Sequence, residues 1–184
     1  MTLLETPFCD TGLLAPDFNL LGVNNKHWTR DECMGEHGLL VMFICNHCPY
    51  VKAIQQRLVE DMAVLQDNGI GVVAIMSNDP NDYPDDSFEN MQQIAKDKQY
   101  NFPYLIDPTQ QIAKAYQAVC TPDFFGYNRK GELQYRGRLD KTGQKSNIKA
   151  GKRELVEAML LVANTGKGPT EQEPSMGCSI KWIA

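Results

Sequence analysis

Positive charge is scarce in this sequence. Its 184 residues carry 18 lysines and arginines against 23 aspartates and glutamates, a formal net charge of −5. With a pI near 5.2 there is no electrostatic reason to bind nucleic acid or an anionic membrane. Long apolar runs are missing too, and none reaches membrane-spanning length. Met1-Thr2-Leu3-Leu4-Glu5-Thr6-Pro7 has neither the basic n-region nor the apolar h-region of a secretory leader. These absences point to soluble partners and a cytoplasmic location. Six cysteines are too few to staple a chain of this size, which can bury a substantial core without disulfides. No repeat or low-complexity segment interrupts the chain, so residues 1–184 read as one domain, with a core over about 12–166 and a tail over 167–184.

What is present is concentrated in Leu39-Leu40-Val41-Met42-Phe43-Ile44-Cys45-Asn46-His47-Cys48-Pro49-Tyr50-Val51-Lys52. The apolar run after Gly38 reads as a strand buried on both faces. Val51, Ile54, Leu58, Met62 and Leu65 then recur at steps of three and four, one face of a helix. Pro49 suits its first turn, and Asp67-Asn68-Gly69 its stop. This reading puts Cys45 at or just before the helix N-terminus and Cys48 about one turn inside. Two cysteines bracketing two residues at a helix start can close a disulfide with little backbone movement, and the positive helix end favours a thiolate. Cys45, the nearer to water, is the expected nucleophile. His47 is expected to stabilise the thiolate and raise the reduction potential. A zinc half-site is the bland alternative for a C-x-x-C, but the strand-to-helix position favours redox chemistry.

The remaining pattern is α/β. Gly12 to Leu20 reads as an edge segment and Val23 to Trp28 as the second arm of a hairpin. Cys9 and Cys33, in this region, read as bystanders. Gly69 to Met76 is a second buried strand, reached by a right-handed crossover. The polar loop Ser77 to Asp86 follows at the functional edge of the sheet; its aspartates read as solvated, with a helix cap at Asp86 or Ser87. Phe88, Met91, Ile94 and Ala95 mark the next helix. Pro103 to Asp107 is a strand and Pro108 to Val119 a helix. Cys120-Thr121-Pro122 opens a strand, Asn128 to Gly131 turns it, Glu132 to Leu139 returns, and Lys152 to Thr165 is the last helix. Ile180 and Trp182 suggest that the tail docks back.

This set resembles the thioredoxin superfamily: a strand ending in C-x-x-C-P, a crossover helix, a second buried strand, a late Thr-Pro, a hairpin and a terminal helix. More narrowly, Ala15-Pro16-Asp17-Phe18, Phe43 to Lys52, Ser77-Asn78-Asp79-Pro80, Val119 to Phe125, Tyr135-Arg136-Gly137-Arg138 and Gly177 to Trp182 are similar to the peroxiredoxin-like, AhpC/TSA-related redoxins with a C-x-x-C motif. The resemblance implies a thioredoxin-like fold, a central mixed β-sheet flanked by helices, here with an N-terminal hairpin extension and a C-terminal tail. It implies that Thr121-Pro122 is the cis-proline that shapes the substrate groove. It also implies a potential above the about −270 mV of thioredoxin, nearer the about −180 mV of protein disulfide isomerase. The family's peroxidase pattern P-x-x-x-T-x-x-C with a distant Arg is met by Cys48 alone: Val41, Cys45 and Pro122 stand at the other positions. Arg136 or Arg138 could substitute for that Arg, or be exposed charges. The buried acid of thioredoxin, six residues before the first cysteine, is here Leu39.

The expected function is therefore a thiol–disulfide oxidoreductase working through Cys45 and Cys48, with a protein or small-molecule disulfide and a thiol electron donor as partners and no cofactor or metal. The alternatives are a thiol peroxidase with Cys48 peroxidatic, and a copper or zinc carrier using Cys45, Cys48, His47 and Cys178. Cys120 and Cys178 are auxiliary redox candidates, expected side by side as a second dithiol.

Overall fold

The computed structural model describes residues 2–142 and 152–183. Its elements run β1 (Leu3–Glu5), β2 (Asn19–Gly22), β3 (His27–Thr29), α1 (Arg30–Cys33), β4 (Gly38–Phe43), α2 (Pro49–Asp67), β5 (Ile70–Met76), α3 (Phe88–Asp97), β6 (Tyr104–Ile106), α4 (Gln111–Ala115), β7 (Cys120–Thr121), β8 (Asp123–Asn128), β9 (Leu133–Tyr135), α5 (Glu154–Thr165) and β10 (Met176–Ser179). Seven strands form one mixed sheet in the order β3-β2-β6-β5-β4-β8-β9. β4 pairs parallel with β5 and antiparallel with β8.

That central place explains the apolar run. Every residue of β4 is buried, and successive side chains face opposite ways. Leu40 and Met42 join a core with Leu58, Met62 and Met159, whereas Leu39, Val41 and Phe43 join a second core with Tyr116 and Phe125. The expected apolar face of α2 is buried throughout. The helix stops at Asn68, followed by Gly69 at a φ of +71°, a conformation that suits glycine.

Several boundaries differ from the sequence reading. β2 pairs with both β3 and β6, so the hairpin is built into the main sheet and β3 is the edge. The expected helix Pro108 to Val119 shrinks to α4, because Gln110 and Gln117 adopt left-handed φ values of +60° and +54° at its two ends. The tail forms a strand earlier than expected: β10 lies between β1 and β7 in a second sheet. No helix among the described residues is long and apolar enough to cross a membrane.

Candidate active site

Beyond β4 the chain leaves the sheet through Cys45-Asn46-His47-Cys48. Pro49 is the first helical residue, where its missing N–H has no partner to lose. Cys48, with extended backbone (φ −64°, ψ 122°), is the N-cap of α2. The expected positions therefore shift by most of a turn: Cys48 sits at the helix mouth rather than inside it, and Cys45 precedes it by three residues. Neither thiol is open to water, Cys45 being 1% and Cys48 0% exposed.

Thr121-Pro122 is a cis peptide and lies against both sulfurs. Cys45 Sγ is 3.3 Å from Thr121 Oγ1, and the Cys48 thiol donates to the Thr121 carbonyl at 3.1 Å. The 3-10 turn Pro84–Asp86 closes the other side. Asp86, which the sequence reading left in a solvated loop, is fully buried. Its Oδ1 accepts the backbone N–H groups of Asn46 (2.7 Å) and His47 (3.2 Å). Its Oδ2 accepts from Asn78 Nδ2 (2.8 Å) and lies 2.6 Å from His47 Nδ1. The helix cap falls to Ser87 alone, whose Oγ accepts from the Asn90 N–H. Tyr104 Oη donates to Asn46 Oδ1 at 3.0 Å, and His47 stacks on Tyr83 with ring centroids 4.9 Å apart. The C-x-x-C turn is thus fastened from its concave side by one carboxylate. Burial pushes that carboxyl up, but the His47 and Asn78 hydrogen bonds, the His47 charge and the Asn46 N–H together hold it below its usual range.

The two thiols influence one another, and their proton affinities are pushed in opposite directions. Cys45 is raised well above the ordinary thiol range by the bond it makes to Cys48, by burial and by the Asp86 charge; the Thr121 hydroxyl opposes this. Cys48 is lowered to about 4 by the Cys45 hydrogen bond, which outweighs burial, with help from Cys178 and the Val51 N–H in the first turn of α2. A Cys48 thiolate forfeits its own donation to the Thr121 carbonyl. That neutral bond is worth about 1 kcal/mol, less than a bond donated to a charged sulfur at about 1.5–3 kcal/mol, so the balance favours the charge on Cys48. These directions favour Cys48 as the readier thiolate, against the expected order of Cys45 before Cys48. The physical reason is that the helix mouth and the thiol donors face Cys48, while the carboxylate faces Cys45.

Other expected residues separate. Cys178 pairs in register with Thr121 and Ser179 with Cys120, so Cys178 and Cys120 point to opposite faces of the small sheet. The two are therefore not placed as the expected dithiol; Cys178 instead joins the buried cluster that holds Cys45 and Cys48. Cys120 is fully buried, with its thiol 3.6 Å from the Pro122 carbonyl. Arg136, read as an exposed charge or a peroxide ligand, is buried and bridges Asp123 Oδ2 (3.0 Å) and the Gln117 carbonyl (2.8 Å). Its guanidinium covers the Phe125 ring at 4.4 Å. Burial pushes the Asp123 carboxyl up to about 6 against the pull of Arg136. This pair braces the segment after Pro122. Arg138 is half-buried on Glu154 at 2.7 Å. Of the expected metal ligands, Cys45 and His47 come close, with Asp86 as the third: one ligand atom from each lies within 4.8 Å of the others. His47 and Asp86 are already bonded to one another, and an ion there would have to break that bond. A cleft of 1280 Å³ between Phe8–Gly12 and the end of α5 is lined by neither Cys45 nor Cys48.

Sequence reasoning missed Asp86, Asn78 and Asn46. The one available signal was the position of the Ser77–Asp86 loop at the carboxyl end of β5, next to the end of β4.

Among solved structures, the chain is similar to an uncharacterized conserved protein from Geobacillus kaustophilus, with 39% identity over 100% of this chain and 97% of that one and a TM-score of 0.93. It is also similar to the hypothetical protein SMc02350 from Sinorhizobium meliloti 1021, with 37% identity over 98% of each chain and a TM-score of 0.92. A more distant likeness, 13% identity over 68% of this chain and 86% of the other with a TM-score of 0.58, is to the thioredoxin domain of thiol-disulfide oxidoreductase BVU-2223 from Bacteroides vulgatus, and it shows the fold alone. No curated protein matches the chain. The model of the AhpC/TSA family matches residues 11–136; with its mixed sheet, its flanking helices and its cis-proline set against the C-x-x-C sulfurs, the chain is a thioredoxin-fold redoxin and belongs to the AhpC/TSA family.

Proposed function

We propose that the protein is a thiol–disulfide oxidoreductase in which Cys45 and Cys48 cycle between dithiol and disulfide. The observation that carries this reading is the placement of both thiols at the mouth of α2, each in contact with Thr121 before the cis-proline. The Cys48 thiolate attacks one sulfur of a substrate disulfide, forms a mixed disulfide and expels the other half as a thiolate. Cys45, losing its proton, then attacks Cys48 Sγ and releases the second half. Two electrons pass to the substrate, and an external thiol donor restores the pair. The proposed substrate is a protein or small-molecule disulfide, and the proposed location is the cytoplasm.

The place of Cys48 at the family's peroxidatic position, at the N-cap of α2, favours a second reading. The Cys48 thiolate could attack a peroxide, leaving a sulfenate and an alcohol or water, and Cys45 could condense with it to the same disulfide with loss of water. Against this, Cys45 stands where the family's threonine would hold the peroxide, and Arg136 is committed to Asp123. Reduction of insulin disulfides with dithiothreitol as donor, set beside consumption of hydrogen peroxide by the same preparation, separates the two. Insulin turnover that exceeds peroxide turnover is expected; the opposite ranking would overturn the oxidoreductase reading.

A further inference from the structure

A third sulfur stands beside the pair. β10 runs antiparallel to β7 with Cys178 opposite Thr121. Cys178 therefore shares the face of Thr121 that meets Cys45 and Cys48, and it packs in the same buried cluster as both. The strand is firmly held. Ser175 Oγ donates to the Pro122 carbonyl at 2.8 Å, the Ile180 N–H to Val119 O at 3.2 Å and the Lys181 N–H to Asn78 Oδ1 at 2.9 Å. At Gly177 a Cβ would stand 2.1 Å from the Thr121 carbonyl oxygen, so β10 presses on β7 as closely as glycine permits. Cys178 is thus presented by a fixed ladder, at the β7 edge next to the redox turn, rather than by a fraying end.

We propose that Cys178 is a third redox-active thiol, which exchanges with the Cys45–Cys48 disulfide to give a Cys48–Cys178 disulfide. This rests on the reading of Cys45 and Cys48 as the working pair. The Cys178 thiolate attacks Cys48 Sγ; the Cys48–Cys178 bond forms as the Cys45–Cys48 bond breaks, and Cys45 leaves as a thiolate. The proton given up by Cys178 ends on Cys45, whose surroundings favour the thiol. One disulfide and one thiol stand on each side, so no outside oxidant enters this step. The step is also gated by the pair itself. In the reduced protein, burial and the charged Cys48 push the Cys178 thiol up to about 11; once Cys48 is in a disulfide, its charge is gone and that part of the barrier to a Cys178 thiolate goes with it. Cys48 is then the shared sulfur of two alternative disulfides, one within the turn and one that ties the tail strand to the start of α2.

The full chain, equilibrated in glutathione buffers of graded poise, acid-quenched, alkylated and mapped by mass spectrometry, tests this. The oxidised protein is expected to contain both linkages, with Cys45 alkylated in the fraction that carries Cys48–Cys178. In Cys178→Ser, alkylation of Cys45 in the oxidised pool should fall to background. In Cys45→Ser, the Cys48–Cys178 linkage should persist. A wild-type chain fully oxidised at Cys45–Cys48 with Cys178 recovered as a reduced thiol at every poise, and a Cys45→Ser chain that carries only glutathione on Cys48, would overturn the proposal and leave the working pair intact. Absence of both linkages at every poise would overturn the pair as well.

Discussion

The two sides of the sulfur cluster are held by different physics. On one side, the β4–α2 turn carries Cys45 and Cys48 within four consecutive residues, and a helix mouth, thiol donors and a buried carboxylate decide how they share a proton. On the other, β7 and β10 meet through main-chain pairing, and Cys178 is delivered by register. The first side is tuned by charge and the second by position. A change of charge should therefore alter reactivity while the fold stays in place, whereas a change of register should remove a sulfur from the cluster altogether.

The largest effect is expected where the sides meet. Cys48→Ser removes the sulfur common to both linkages and should bring insulin reduction down to the uncatalysed rate, with no internal disulfide at these positions by mass mapping. Retention of turnover would mean that Cys45 acts alone. Next, Gly177→Val attacks only the strand side. The added side chain must push β10 off the Thr121 carbonyl, at a cost of about 1–3 kcal/mol in a urea titration. Alkylation of Cys48 at neutral pH should become several-fold faster as the strand lifts, and an unchanged rate would show that β10 does not cover the sulfur.

On the charge side, the wild-type reduced protein should be alkylated at Cys48 before Cys45. That reactivity should persist as the pH falls below neutrality and be lost only on passing through about 4, where the Cys48 thiolate takes up its proton. Asp86→Asn removes the charge that helps hold Cys45 as a thiol, so the pH profile for Cys45 alkylation should move to lower pH, as followed by mass spectrometry across a pH series. If the Cys45 profile stays in place, Asp86 serves only to fasten the turn. The smallest effect is expected for His47→Leu. Losing the partner of Asp86 leaves more uncompensated negative charge beside the pair, which disfavours the reduced, thiolate-bearing side of the couple. The reduction potential should drop by about 30 mV, equivalent to about 1.4 kcal/mol for a two-electron couple, in a glutathione titration. A rise in potential would reverse the sign of the carboxylate's influence.

The fold was legible wherever apolar spacing was strict. β4, α2, β5 and the Asn128–Gly131 hairpin turn fall close to their expected bounds because their patterns reflect burial on one or two faces. α4 was overestimated, since nothing in the composition of Gln110 or Gln117 announces a left-handed backbone. Within the site, the C-x-x-C could be read directly, and the Thr-Pro through family resemblance. The protonation of the pair could not, because it depends on Asp86, a residue of the following crossover whose loop composition looked solvated. Arg136 misled for the same reason: its charge is compensated by Asp123, and only proximity reveals the partner.

The sequence by itself determined the redox turn: an apolar run, two cysteines three positions apart, a proline and an amphipathic helix are neighbours in the chain, and local sterics and helix geometry leave them little choice of arrangement. Which sulfur bears the charge, and that a third cysteine from the far end of the chain joins the pair, only the tertiary structure decided. Those outcomes come from Asp86 and β10 being brought against the turn by long-range pairing, and pairing register between distant strands is set by the packing of the whole domain rather than by any local pattern.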